Sequence, residues 1–281
     1  MIRRRDDIVT RNIADEALLR SRGGGFLALP QRGLTLSLQA GANVSIGTFD
    51  GNNSAWGSQA PTYSWCDLAS VTDTDFNAQP TFDPTGINGK PSLDYSEANA
   101  SQGFFFPDKQ GSTFIFLNEF SIAGTFEYTG TIALDSTSGF ENSPMIIGNG
   151  NQLWGCYVGL DADTTKVKLA ICIETSSTPT FAFVTSVAVA KASAHYFVAT
   201  LDSSGLLSLY LDALPAVTQN VGKMFSMTGL DSTMNLAFNS VLAPPGVTLG
   251  ARLNEVDLWH VALTPAELAQ AQAGLRLRGG F

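Results

Sequence analysis

The chain is poor in the groups that most often carry chemistry. Its 281 residues include three cysteines and two histidines, and 15% of them are charged. Cys66, Cys156 and Cys172 are odd in number and form no C-x-x-C pair. That argues against a disulfide framework and for synthesis in a reducing compartment, with the thiols serving as small buried hydrophobes. His195 and His260 lie far apart, and neither sits by a Gly-x-Ser-x-Gly elbow. Neither a zinc site nor a Ser/His/Asp arrangement can be read from them, and alternating neighbours give both a structural role within strands. Gly148-Asn149-Gly150 is an isolated glycine pair, without the rest of a phosphate loop or dinucleotide fingerprint. No apolar run reaches 18 residues, so no membrane-crossing helix is expected. The charged N-terminus lacks the apolar core of a signal peptide. No catalytic residue and no cofactor is expected.

Basic residues are also scarce, 16 against 25 acidic, for a net charge of −9. They are unevenly spread. Residues 1–32 hold seven of them (Arg3, Arg4, Arg5, Arg11, Arg20, Arg22 and Arg32) against four acids, a local +3 that leaves −12 on the remainder. A basic arm on an acidic body suggests a tether that docks on an acidic surface. Ile8, Val9, Ile13, Ala14, Ala17 and Leu18 add a partly helical apolar stripe, and Gly23-Gly24-Gly25 forms a flexible joint. The arm is assigned to residues 1–33, with Arg3, Arg4, Arg5 and Arg11 pairing with acids and Ile8, Ile13 and Leu18 filling a groove. Nucleic acid is a poor partner, because Asp6-Asp7 interrupts the arginines and the acidic body repels phosphates.

What the chain does have is β-forming sequence. Val, Ile, Thr, Phe and Tyr fill short runs at 113–117, 166–173, 181–189 and 206–211, divided by Gly, Ser, Asn, Asp and Pro clusters. A single all-β sandwich of two antiparallel sheets over residues 34–281 is expected, with possible insertions at 128–145 and 213–247. The consecutive aromatics Phe104-Phe105-Phe106 would face both sides of a sheet, either as a buried strand or as an interface plug. Near the C-terminus, Leu253, Val256, Leu258, His260 and Ala262 read as a strand. Thr264, Pro265 and Glu267 follow at capping-box spacing, and Leu263 is placed to staple against Leu268. That helix is expected to end near Ala273-Gly274, leaving 275–281 as a further edge strand or a partner contact.

Three segments resemble the laminin-G-like domains of the concanavalin A superfamily. They are Gln79–Phe82 with Gly86–Tyr95, the hairpin from His195 to the "LYLD" ending at Asp212, and the strand and helix of 247–273. Ala213 stands where family members usually have glycine, so the next turn is expected to differ. The resemblance implies a concanavalin A-like jelly roll, a fold shared by lectins, glycanases and purely structural modules.

Four functions are open to a chain of this kind. Glu255-Val256-Asp257 is similar to the carboxylate-bearing strand of glycanases with this fold, since a period of two puts both acids on one face. The third carboxylate is missing, and the expectation is a non-enzyme. Sugar binding would use loop aromatics and amides, with Trp56, Tyr63 and Trp65 in one group and Asn149, Asn151 and Trp154 in another. Calcium would find oxygen ligands at Asp161 and Asp163. Modules of this kind mostly work outside cells, yet the chain shows no export signal. The reading that joins these facts is a bacteriophage virion protein made in the host cytoplasm. It would be a capsid decoration or head or tail fibre, homo-oligomeric with a trimer as one such form, anchored by its arm to other virion proteins. The alternative is a host-adsorption protein that binds surface glycans.

Overall fold

In the computed structural model the described residues are 29–42, 80–95, 119–136, 140, 142–149, 154–175, 181–222 and 247–281, with strand segments at 44–45, 55–56, 68–70, 104–105, 234–236 and 238–239. Twelve described strands have four residues or more. They are β1 (Leu34–Gln39), β2 (Thr81–Ile87), β3 (Lys90–Tyr95), β4 (Phe120–Tyr128), β5 (Met145–Asn149), β6 (Trp154–Leu160), β7 (Lys166–Glu174), β8 (Phe181–Thr185), β9 (Ala194–Leu201), β10 (Leu206–Leu211), β11 (Val217–Asn220) and β12 (Ala251–Trp259). Among the described residues there is one helix, α1, spanning Pro265–Gly279. The fold is an all-β sandwich, as expected.

One sheet has the order β11-β10-β9-β4-β12-β3-β2, with β1 also on β12. The other runs β8-β7-β6-β5 and continues through the short segments at 234–236, 104–105, 68–70, 55–56 and 44–45. The backbone of Phe104 and Phe105 thus lies in a strand paired on both edges. Leu36, Leu38, Leu93, Phe120, Ile122 and Phe126 from the first sheet meet Ile147, Cys156, Val158, Leu169 and Ile171 from the second in one core.

The hairpins follow from turn chemistry. Asn88 and Gly89 both take positive φ, 49° and 73°, which is the backbone a tight β2–β3 turn needs. Between β9 and β10, Asp202 Oδ1 accepts from the Ser204 and Leu206 N–H groups at 2.9 and 3.0 Å, and Gly205 supplies φ 84°. Within the insertion expected at 128–145, Phe140 packs on the outer face of the second sheet, stacking on Tyr157 at 5.0 Å and meeting Phe183 edge-on.

β12 is the central strand of the first sheet. It pairs with β4 along its length and shares its other edge between β3 at residues 251–253 and β1 at 255–259. The two-residue alternation expected here breaks at Asn254, where a bulge inserts one extra residue. Leu253, Val256 and Leu258 therefore all enter the core, while Glu255, Asp257 and Trp259 turn outward. Asn254 is held by donating Nδ2 to the Pro91 carbonyl at 2.6 Å and by accepting from the Ala40 N–H at 2.8 Å. The strand stops at Trp259, so His260 and Ala262 lie beyond it.

α1 covers the outer face of this sheet. Ala271, Leu275 and Leu263 pack with Tyr196, Val198 and Trp259, and Leu268 joins them. The expected capping box is present: Glu267 N–H donates to Thr264 Oγ1 at 3.4 Å, and the Thr264 N–H donates to Glu267 Oε2 at 2.9 Å. The expected end at Ala273-Gly274 is wrong by about a turn and a half. The helix runs to Gly279 and closes on Gly280 in the left-handed conformation, φ 74°. Residues 275–279 are thus helix rather than edge strand.

Residues 29–33, expected to belong to the arm, pack on the sandwich. Leu29 is buried, Trp259 Nε1 donates to the Pro30 carbonyl at 2.8 Å, and Arg32 forks onto Glu267 at 2.8 and 2.7 Å. That fork, with the Thr264 hydrogen bonds, outweighs the opposing effect of burial and holds the Glu267 carboxyl down at about 2. Thr264→Ala should cost about 1 kcal/mol of stability in urea denaturation, the usual loss for an N-cap hydroxyl.

Candidate functional site

The outward face of β12 carries the two carboxylates singled out in the sequence. Both are fully buried under the C-terminal end of α1. Glu255 faces Thr125 across the β4 ladder and Gln39 across β1, while Asp257 faces Ser37. Arg278 descends from α1 and forks onto Glu255, with Nε at 2.8 and 2.7 Å from the two oxygens and Nη2 at 2.6 Å. Burial first, and then the charge of Glu255, drives the Asp257 carboxyl well above the usual carboxylate range. Arg278 and Ser37 oppose this without reversing it. The arrangement is a buried, proton-holding anchor for a helix. Gly279 fits because a Cβ there would come within 2.5 Å of the Phe281 ring and 3.2 Å of Thr125 Cγ2. Asn88 Nδ2 also donates to the Gly279 carbonyl at 3.1 Å, tying the β2–β3 turn to the helix end.

Beside α1 the same sheet face opens into a cleft of about 400 Å³, within the size range of small-ligand sites. The helix contributes Ala269, Gln272, Ala273 and Arg276, a wall spaced three and four residues apart. Tyr196 of β9 and Tyr210 of β10 contribute aromatic surface, and the 212–216 turn closes the other side. Alanines at 269 and 273 leave the space open. Tyr196 is buried and meets the Phe281 ring edge-on at 5.1 Å, whereas Tyr210 is half-buried.

Asp212 shapes one end of the cleft. Its backbone takes φ 54°, a left-handed conformation that a short acidic side chain tolerates. Its Oδ2 lies 2.8 Å from His195 Nδ1, and its Oδ1 accepts from the Tyr196 N–H at 3.0 Å. His195 Nε2 in turn lies 2.8 Å from the Ala190 carbonyl. Burial opposes a charged imidazole, but Asp212, the Ala190 carbonyl and Glu127 outweigh it and raise the His195 pKa. The structural role expected of His195 is met by this pair. Exposed His260 lies 3.1 Å from Thr35 Oγ1 through Nδ1.

Of the residues proposed from sequence for sugar binding, Trp154 is the one whose side chain is described. Trp154 is 2% exposed and lies in the central core against Phe120, with no face open to a sugar. Its alternation partners on β6 all point into packed layers, which loop-like flanking glycines concealed in the sequence. The backbone of Trp56 pairs with 44–45 and 68–70 in the second sheet, and that of Asn149 pairs with Met234. The side chains of Trp56 and Asn149, and all of Tyr63, Trp65 and Asn151, lie outside the described residues. So do Arg3, Arg4, Arg5, Ile8, Arg11, Ile13 and Leu18.

Asp161 and Asp163 occupy the β6–β7 turn as ion-pair and turn groups. Lys168 Nζ reaches Asp161 at 2.8 Å and Lys166 Nζ reaches Asp163 at 3.3 Å. Asp163 Oδ1 also accepts from Thr165 Oγ1 at 2.6 Å. The Lys168 ammonium lowers the Asp161 pKa, and the Thr165 hydroxyl lowers that of Asp163. Among the described residues, no three His, Cys, Asp or Glu side chains gather as a metal cluster. Tyr196, Tyr210, Gln272 and Arg276 were missed. Only Asp212, at the end of the "LYLD" strand with Ala213 in place of glycine, hinted at the place.

No family model and no curated protein matches the chain. Solved structures do. The sialidase of Trypanosoma rangeli superposes with a TM-score of 0.54 at 13% identity, over 87% of this chain and 33% of its own. The binding domain of Paraclostridial Mosquitocidal Protein 1 gives 0.53 at 9%, over 86% and 52%. Botulinum neurotoxin type C, which depends on interaction with two ganglioside molecules to get into cells, gives 0.52 at 10%, over 86% and 51%. The likeness is one of fold. The chain spans about a third of the sialidase and about half of each toxin chain.

The buried proton gives a pH signature. Asp257 is raised in the folded protein and ordinary, near 3.9, when unfolded. The folded state therefore holds the extra proton, and stability falls as pH rises above about 4 towards the folded pKa. Asp257→Asn, which mimics the protonated acid, should melt higher than the wild type at pH 8, with the gap closing near pH 4. The raised His195 also favours lower pH, but it is common to both chains and cancels in the comparison.

Proposed function

We propose that this chain is a non-catalytic, glycan-binding β-sandwich whose ligand lies in the cleft beside α1. The observation that carries this is the mixed lining: aromatic surface from Tyr196 and Tyr210, with Asp212, Gln272 and Arg276 around it. Pyranose rings present apolar C–H faces and hydroxyl edges, and binding sites for them combine those two kinds of surface. The fold supports the reading by analogy, since the ganglioside-dependent neurotoxin shares it.

A catalytic reading finds less support. The carboxylate pair that the sequence singles out for glycoside chemistry, Glu255 and Asp257, is sealed under α1 with an arginine on it. A hydrolase needs such a pair open to the glycosidic bond and to water.

The finer reading, a virion decoration or fibre module, rests on the basic arm joined to an acidic body. Such a protein would co-sediment with its particles at full length and fail to do so without residues 1–25. Loss of the arm with no change in co-sedimentation would remove the tether.

The glycan reading is tested on an array followed by titration of the best hit. Tyr210→Ala should weaken binding about ten-fold, the order expected for losing a stacked ring. Trp56→Ala, in the region first suggested by the sequence, should leave it unchanged. An array with no hits, with and without calcium, sinks the reading; the opposite mutational pattern moves the site to the Trp56 region.

A further inference from the structure

Four arginines are among the described residues, and three of them face carboxylates. Arg32 lies on Glu267, Arg252 lies near Asp94 and Glu127, and Arg278 lies on Glu255. Arg276 differs. Its side chain is exposed on the cleft wall, and among the described residues it forms no ion pair. It is close enough to Tyr196 for its charge to act on the phenol.

The acid in the same cleft is already matched. Asp212 meets the His195 ring with one oxygen and the Tyr196 N–H with the other. Both ring nitrogens of His195 face acceptors, Asp212 and the Ala190 carbonyl, an arrangement satisfied in full only when both carry protons. The pair is then neutral overall, and Arg276 leaves the cleft net positive. This stands against a body that is −12 beyond residue 32. Any attraction for an anion is therefore local to the cleft and works against the field of the rest of the molecule.

Resting on the glycan-binding reading above, we propose that the cleft selects a sugar bearing a carboxylate, received by the Arg276 guanidinium. The planar fork of arginine matches a carboxylate through two parallel N–H···O bonds. Gln272, one helical turn earlier on the same wall, offers an amide donor and acceptor to ring hydroxyls. Tyr210 offers the apolar face, and the exposed side chain of Leu214 extends it at the rim. Neutral sugars would use the tyrosine and the amide alone.

The test uses the full chain, labelled with 15N, and two matched pairs of sugars. Methyl β-D-glucuronide is compared with methyl β-D-glucoside, and 3′-sialyllactose with lactose. In at least one pair the acid should bind about ten-fold more tightly, as one charge-assisted fork allows, with shifts centred on the amides of Tyr210, Gln272 and Arg276. Arg276→Gln should bring that ratio close to one, and Arg276→Lys should keep part of it. Equal binding of acid and neutral sugar at the cleft in both pairs overturns the acid selection but leaves glycan binding standing. So does a preference that survives Arg276→Gln. If no sugar in the pairs or on the array shifts the cleft amides, the glycan reading itself falls.

Discussion

The Arg278 fork on Glu255 fastens α1 to the sheet, and the outer face of the molecule is arranged around it. A carboxylate with no exposure in the middle of a sheet would cost several kcal/mol if left charged and unpaired. Such a pair adds little net stability compared with apolar groups of the same shape. What it does is restrict where the helix can lie. Arg278 meets its partner only when the last turn of α1 sits over β12, with Gly279 against Thr125 and Asn88 on the Gly279 carbonyl. At the other end of the helix, Arg32 on Glu267 joins the chain entering β1 to the first turn.

The cleft is a consequence of that placement. Gln272 and Arg276 share a face of α1, and the fork sets the height and rotation of that face above Tyr196 and Tyr210. Asn254 stands further back in the same chain of causes. Without its extra residue, the alternation that puts Leu253 in the core would also put Glu255 there, and no acid would face the helix.

The same fold occurs in a sialidase and in toxin binding domains, so architecture alone does not separate catalysis from binding. In this chain the carboxylates of β12 lie buried under α1 with Arg278 on Glu255, and the cleft beside that helix is lined by Tyr196, Tyr210, Gln272 and Arg276.

Much of the fold was legible because it depends on neighbours in sequence. The capping box at Thr264 and Glu267, the hairpin between His195 and Asp212, and the shared face of Glu255 and Asp257 each follow from short spacings and turn residues. The end of α1 was missed because Gly274 offers the usual stop signal, yet packing of Leu275 and the hold on Arg278 carry the helix on to Gly280. Trp154 was misjudged for a related reason. A tryptophan beside a polar loop can point either way, and what decides is the sheet that closes over it, here the one bearing Phe120. The partners of Asp161 and Asp163 were likewise not legible, because Lys168 and Lys166 reach them from the adjoining strand. Sequence by itself determined the β-class, the turns and the helix start, because these are set by dihedral preference and local hydrogen bonding. Only the tertiary structure decided which polar groups are buried, paired or open, because that depends on which elements come to lie against one another, as when α1 brings Arg278 over Glu255 and the chain before β1 brings Arg32 to Glu267.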